Sequence, residues 1–270
     1  MNLSDYINYW DKKIVAFLAY RSSSYIYPTS FGIGEPPLQG DFIPEPFMGN
    51  PDEFSFVIVN LNPGAGVPHS WLHCQDIPGT LVNKVKKIGY SNAVCDFPYL
   101  QDENTVGLID WNNSPGRVWW KEKESWIKHK IKLFELSYKI EEPIPNNLLP
   151  FAMEMYAWHT CEWPKSLNNK MKKSGTYGKL VKDNVIDPLY EAIQNSKFKT
   201  AFCVGKPIGE IIDSFGVFKI KKHHVITKKT TRYYDVYEDG KGNRIINTWA
   251  QGGNKFPSAD FKSEEEKIII

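Results

Sequence analysis

The chain predicts an α/β fold: a three-layer sandwich with a central, mainly parallel sheet of four strands. Three observations predict it. Apolar runs at 54–61, 151–160 and about 200–204 each stop in polar or glycine-containing residues. Segments with helical spacing separate them. A fourth run, 244–249, is the second arm of a hairpin around Asp239-Gly240-Lys241-Gly242. Strands alternating with helices form parallel sheets with helices on both faces. In such sheets ligands collect at the carboxyl ends of the strands.

Leu3, Ile7, Trp10, Ile14, Phe17 and Leu18 follow helical spacing and predict an amphipathic first helix. Residues 22–53 are rich in Ser, Pro and Gly, so 1–53 reads as a helical arm. The first strand, 54–61, runs into Asn60-Leu61-Asn62-Pro63-Gly64. Residues 79–88 read as a helix and 96–117 as loop. Residues 118–138 are helical, with Trp119, Trp120 and Trp126 partly on one face, and Pro143, Pro145 and Pro150 then break the chain. The stretch from about 90 to 150 is therefore a helical insertion. "FAMEMYAWHT", 151–160, is the second strand and ends in Trp158-His159. A helix spans 179–195, and "TAFCVGKPIGEIIDSF" reads as strand, glycine turn and helix. A last short helix opens at the SEEE near the end. With no internal repeat and no linker, 1–270 reads as one domain.

The 270 residues, 41% hydrophobic and 14% aromatic, allow a sizeable core, and the net charge of +2 names no partner. Charge is uneven, however. Six lysines and no acid lie between Glu162 and Asp183. Five lysines, one arginine and two histidines lie between Lys219 and Arg232. Such runs can contact phosphates or simply form a solvated surface. Cys74, Cys95, Cys161 and Cys203 are far apart and form no CxxC, so neither a metal site nor a disulfide framework is expected. No stretch reads as a signal peptide or a membrane span, and a cytoplasmic protein without a cofactor is the expectation. "SGTYGKL" has only two residues between its glycines, too few for a phosphate-binding P-loop.

The strand ending in Asn62-Pro63-Gly64, the late Pro257-Ser258 in "NKFPSADF" and the α/β order between them resemble the uracil-DNA glycosylase superfamily. The similarity runs over about 54–261. "NLNPG" is similar to the mismatch-specific uracil and thymine glycosylase branch. "EMYAWHT" and "FCVGKPIGEII" resemble uncharacterised superfamily members. The resemblance implies a uracil-DNA glycosylase-like fold and a hydrolase that flips a damaged or mismatched base out of DNA, or takes it from a single strand.

It also implies roles for residues. Asn62 would orient the attacking water. Pro63 and Gly64 would border the base, because a glycine lets backbone come close. Trp71, near His73 and Cys74, would stack on the base, and His159 would meet its edge. Pro257 and Ser258 would contact DNA, with Phe256 or Phe261 as a wedge in the base stack and Gln251 and Asn254 facing the pocket. Lys172 and Lys173 would lie along the DNA. Asn60 alternates with Asn62 and is expected to affect stability more than rate. Two departures keep a second reading open. His159 stands where the best-known uracil enzymes have Asn, and Phe256 where they have the leaving-group His. Both suit a non-catalytic nucleic-acid- or nucleotide-binding module on the same fold. The base, the strand form and the oligomeric state are not legible.

Overall fold

The computed structural model describes residues 1–20, 43–61, 81–95, 149–158, 165–227 and 231–250. The strands among them are β1 (Phe47–Met48), β2 (Phe56–Asn60), β3 (Pro150–Glu154), β4 (Thr200–Val204), β5 (Lys219–Thr227), β6 (Thr231–Glu238) and β7 (Arg244–Ala250). The helices are α1 (Leu3–Tyr20), α2 (Leu81–Ile88), α3 (Tyr90–Ala93), α4 (Lys165–Met171), α5 (Gly178–Val181), α6 (Asp187–Asn195) and α7 (Lys206–Phe215). A wider π turn, Lys182–Ile186, joins α5 to α6.

All seven strands belong to one mixed sheet in the order β1-β3-β2-β4-β7-β6-β5. The expectation of a four-stranded sheet is corrected by this. The four strands read from the sequence are β2, β3, β4 and β7, and they pair parallel as neighbours. Three further strands widen the sheet: β1 joins β3 antiparallel, and β6 and β5 continue antiparallel beyond β7. Strand β1 has two residues, too few to leave a period in the sequence. The described part of the basic run 219–232, which the sequence left open as a phosphate contact or a solvated surface, forms the edge strand β5 and the start of β6. Lysines on an edge strand oppose pairing with another chain.

The central strands are apolar at nearly every position because both faces are buried. Val57, Val59, Phe151, Met153, Ala201 and Cys203 face one core, shared with α1, α6 and α7. Phe56, Ile58, Ala152 and Phe202 alternate with them, face the other way, and are buried too.

Helix α1 belongs to this core and is not an appended arm. Leu3, Tyr6, Trp10, Ile14 and Phe17 are buried along one stripe. The Tyr6 hydroxyl donates to the Pro46 carbonyl at 3.0 Å, and Asp11 accepts from both the backbone N–H and the hydroxyl of Ser91 at 2.7 Å. Phe17 packs edge-on against Trp158, just past β3, with ring centroids 5.5 Å apart. Among the described residues no helix is long and apolar enough to cross a membrane.

Two glycines set how α7 lies on the sheet. Gly205 turns the chain from β4 into α7 at φ 132°, a backbone conformation that disfavours any side chain. Gly209 lets α7 approach β6 and β7. A Cβ there would lie 2.5 Å from Asn247 Nδ2 and 2.7 Å from the Tyr237 hydroxyl. Gly209→Ala should therefore destabilise the protein by about 1–3 kcal/mol through overpacking, despite alanine's better helix propensity. Urea unfolding checks this, and an unchanged midpoint would show that α7 can slide on the sheet.

Candidate functional site

The parallel strands bring their carboxyl ends to one rim. Strand β2 ends at Asn60 and β3 at Glu154, and the two residues pair in register. Asn60 Nδ2 donates to Glu154 Oε1 at 2.9 Å. The chains stay paired beyond this point, Met155 N–H donating to the Asn60 carbonyl at 2.9 Å and Tyr156 N–H to the Leu61 carbonyl at 3.0 Å. By strand alternation Asn60 and Glu154 share the face of Ile58 and Ala152, away from α6 and α7.

Glu154 is the unusual member. Its Oε2 is buried and has no hydrogen-bond partner among the described residues, although part of the residue remains exposed. Burial pushes its carboxyl well above the usual carboxylate range. The Asn60 hydrogen bond acts against that shift, and the nearby Glu45 adds to it. A carboxyl held this way is neutral over a wider pH range and can donate as well as accept.

A second buried polar atom lies in the same row. Val59 pairs with Cys203 and Cys203 with Asn247. One residue further, Val204 pairs with Thr248, so Thr248 stands level with Asn60 on the same face. Thr248 Oγ1 is buried without a partner among the described residues. Neighbouring strands are about 4.8 Å apart, so the row from β3 to β7 is about 14 Å long.

The helix-covered face carries a different polar group. Asn247 is fully buried, with both side-chain polar atoms lacking partners among the described residues. The Tyr237 hydroxyl donates to Asp235 at 3.3 Å, and burial, then Asp235, push its pKa up. Burial likewise pushes up the Cys203 thiol, which makes it a poor source of thiolate. Gly209 of α7 sits directly on this group, which is packed as core.

Most sequence-predicted site residues lie outside the described residues: Asn62, Pro63, Gly64, Trp71, His159, Gln251, Asn254, Phe256, Pro257 and Ser258. Three of them lie close in sequence to described residues. Asn62 is two residues past Asn60, His159 follows the buried Trp158, and Gln251 follows β7 directly. Lys172 and Lys173 are described. Lys172 Nζ lies 3.0 Å from Glu210 Oε2, which Asn168 Nδ2 also meets at 2.8 Å. Burial of Glu210 is outweighed by these hydrogen bonds and by Lys206, so its carboxyl sits below the usual range. Lys173 is exposed, and its N–H donates to Ser214 Oγ at 3.0 Å. Ser214 is in the last turn of α7, so Lys173 stands at the end of that helix remote from Gly205 and the rim. The β5–β6 hairpin does reach the rim: Arg232 pairs with Ala250, the last residue of β7.

Sequence reasoning missed Glu154 and Thr248. Glu154 had a signal, an acid inside the apolar run "FAMEMYAW". Thr248 had none, because a threonine is ordinary in a strand. Among the described residues no group of three or more His, Cys, Asp or Glu could hold a metal ion. Compared with known protein families, curated proteins and solved structures, the chain matches none.

A pH experiment follows from Glu154. Its folded pKa lies above its unfolded value, so the folded state binds the extra proton between the two. Its contribution to stability is full below about pH 4.3, the unfolded glutamate value, and is lost as pH rises through the folded pKa. Glu154→Gln keeps the oxygen that accepts from Asn60 but cannot ionise. The stability difference, variant minus wild type, should grow with pH across that window. Parallel urea midpoints from acid to neutral pH would place Glu154 in ordinary solvent.

Proposed function

We propose that the chain is a uracil-DNA glycosylase-like hydrolase that cleaves the N-glycosidic bond of a damaged or mismatched base in DNA. One observation carries the reading: parallel strand β2 ends at Asn60, beside the buried carboxyl of Glu154, and leads within two residues into Asn62-Pro63-Gly64. The neighbouring parallel strands β3, β4 and β7 support the finer fold reading, a three-layer sandwich of the uracil-DNA glycosylase kind with added edge strands.

The chemistry suits the residues. The bond breaks through an oxocarbenium-like sugar, so a held water matters more than a strong base. Asn62 orients that water. Gly64 admits the sugar, Trp71 stacks on the flipped base and His159 meets its edge. Phe256, Pro257 and Ser258, with Gln251 and Asn254, follow β7 and contact the strand. The basic β5–β6 hairpin, which reaches the rim, supplies positive charge for the phosphates of single-stranded or mismatched DNA. The second reading, a non-catalytic nucleic-acid- or nucleotide-binding module, is favoured by Phe256 standing where a leaving-group histidine would be.

The deciding experiment incubates the protein with oligonucleotides carrying uracil, hypoxanthine, thymine mismatches and alkylated bases, followed by alkali. Excision of at least one base is expected. Asn62→Ala should slow single-turnover excision by at least ~10²-fold while keeping DNA affinity. Asn62→Asp should keep or raise the rate. Equal rates for wild type and Asn62→Ala would remove Asn62 from catalysis. No excision across the panel, with DNA still bound, would favour the binding module.

A further inference from the structure

We propose that Asn60 and Glu154 form a hydrogen-bonding site for the edge of an uncharged heterocyclic base, with Glu154 Oε2 as the atom left for the ligand. The inference rests on the base-binding reading for the class of ligand. Its location rests on the sheet alone.

Three observations carry it. First, the pair ends two adjacent parallel strands in register, where open α/β sheets bind ligands. Second, Asn60 Nδ2 satisfies Oε1 and leaves Oε2 buried without a partner among the described residues. A buried polar atom in that state costs stability unless something completes it, and native proteins keep few of them. Third, part of Glu154 remains exposed, so its carboxyl lies at the margin of the buried row and within reach of a ligand at the rim.

Charge selects the class of ligand. Among the described residues, the titratable groups coupled to Glu154 are Glu45, which raises its pKa, and the hydroxyls of Tyr6 on α1 and Tyr90 on α3, on which Glu154 acts. None of them is a cation, so none pairs with a phosphate or carboxylate. With only two nearby carboxyls it also falls short of a metal site. An uncharged ring with a carbonyl oxygen or ring nitrogen fits. Because Oε1 accepts from Asn60, the proton belongs on Oε2, which donates to that ligand acceptor. Asn60 keeps its amide oxygen and a second N–H for a neighbouring ring atom. Asn60 is then a positioning residue for Glu154 and a contact for the base, more than the stability element expected from its place in the strand.

The test titrates the protein with free uracil, thymine and hypoxanthine, and separately with inorganic phosphate and an abasic-site oligonucleotide, by calorimetry across pH. At least one base should bind, with affinity falling as pH rises through the ionisation of Glu154. Glu154→Leu should weaken that base about 10-fold, the scale of one lost hydrogen bond, and leave abasic DNA affinity unchanged. Glu154→Gln should bind without the pH dependence. Phosphate should not compete. Base binding that ignores pH and Glu154→Leu, or abasic DNA binding with no base binding, overturns this site while leaving the glycosylase-like reading standing. Binding of neither base nor DNA overturns both. Base binding without DNA binding supports the site and removes the glycosylase reading. Should both variants fail to fold, infrared difference spectra of the wild type decide. A protonated carboxyl band that shifts on adding the base supports the site, and an unshifted band overturns it.

Discussion

Strand β2 is hydrogen-bonded on both sides, to β3 and to β4, in parallel register. Every residue at the rim takes its place from that pairing. It sets Asn60 opposite Glu154, and through β4 it sets Thr248 level with Asn60. A slip of one residue would send Asn60 and Glu154 to opposite faces. The register is held because both faces are buried: Val57 and Val59 must meet the helices, and Phe56 and Ile58 must face the other core. Packing in the middle of the strand thus fixes chemistry at its end.

That chemistry carries a cost. A carboxyl buried beside a second acid, with one oxygen unsatisfied, opposes folding rather than helping it. An apolar residue at 154 would suit the neighbours Ala152 and Met153 better. An observed departure of this kind is a reason to look for function at that point. Asn247 departs in a similar way on the helix-covered face, yet there Gly209 and Tyr237 fill the space against it. The two orphaned groups differ in setting: one is sealed under α7, and the other ends the strands at a rim.

The parallel part of the fold was legible because the physics is local. Two-sided burial makes "FVIV" and "PFAM" continuously apolar, and Gly205 with Pro207 marks the turn into α7. The hairpin was legible from Asp239, which accepts from the N–H groups of Lys241 and Asn243 and fixes the loop. What was not legible depends on distant partners. Strand β1 exists only because β3 offers it an edge. Strand β5 reads as charge because an edge strand need not be apolar. The irregular look of 22–53 hid that α1 before it belongs to the core. The site was half legible. The turn after β2 announced a polar rim, but Glu154 gains meaning only when β3 is laid beside β2 with Asn60 in register.

The central claim is that Glu154 is a neutral, ligand-ready acid at the carboxyl end of the parallel strands. Carbon-13 NMR of the Glu154 side-chain carboxyl, titrated against pH, measures this directly. The account predicts a midpoint well above the ordinary glutamate value of about 4.3. It also predicts that a uracil-containing oligonucleotide moves the midpoint further up, because a ligand acceptor favours the protonated form. A midpoint in the ordinary range, unmoved by the oligonucleotide, would contradict it.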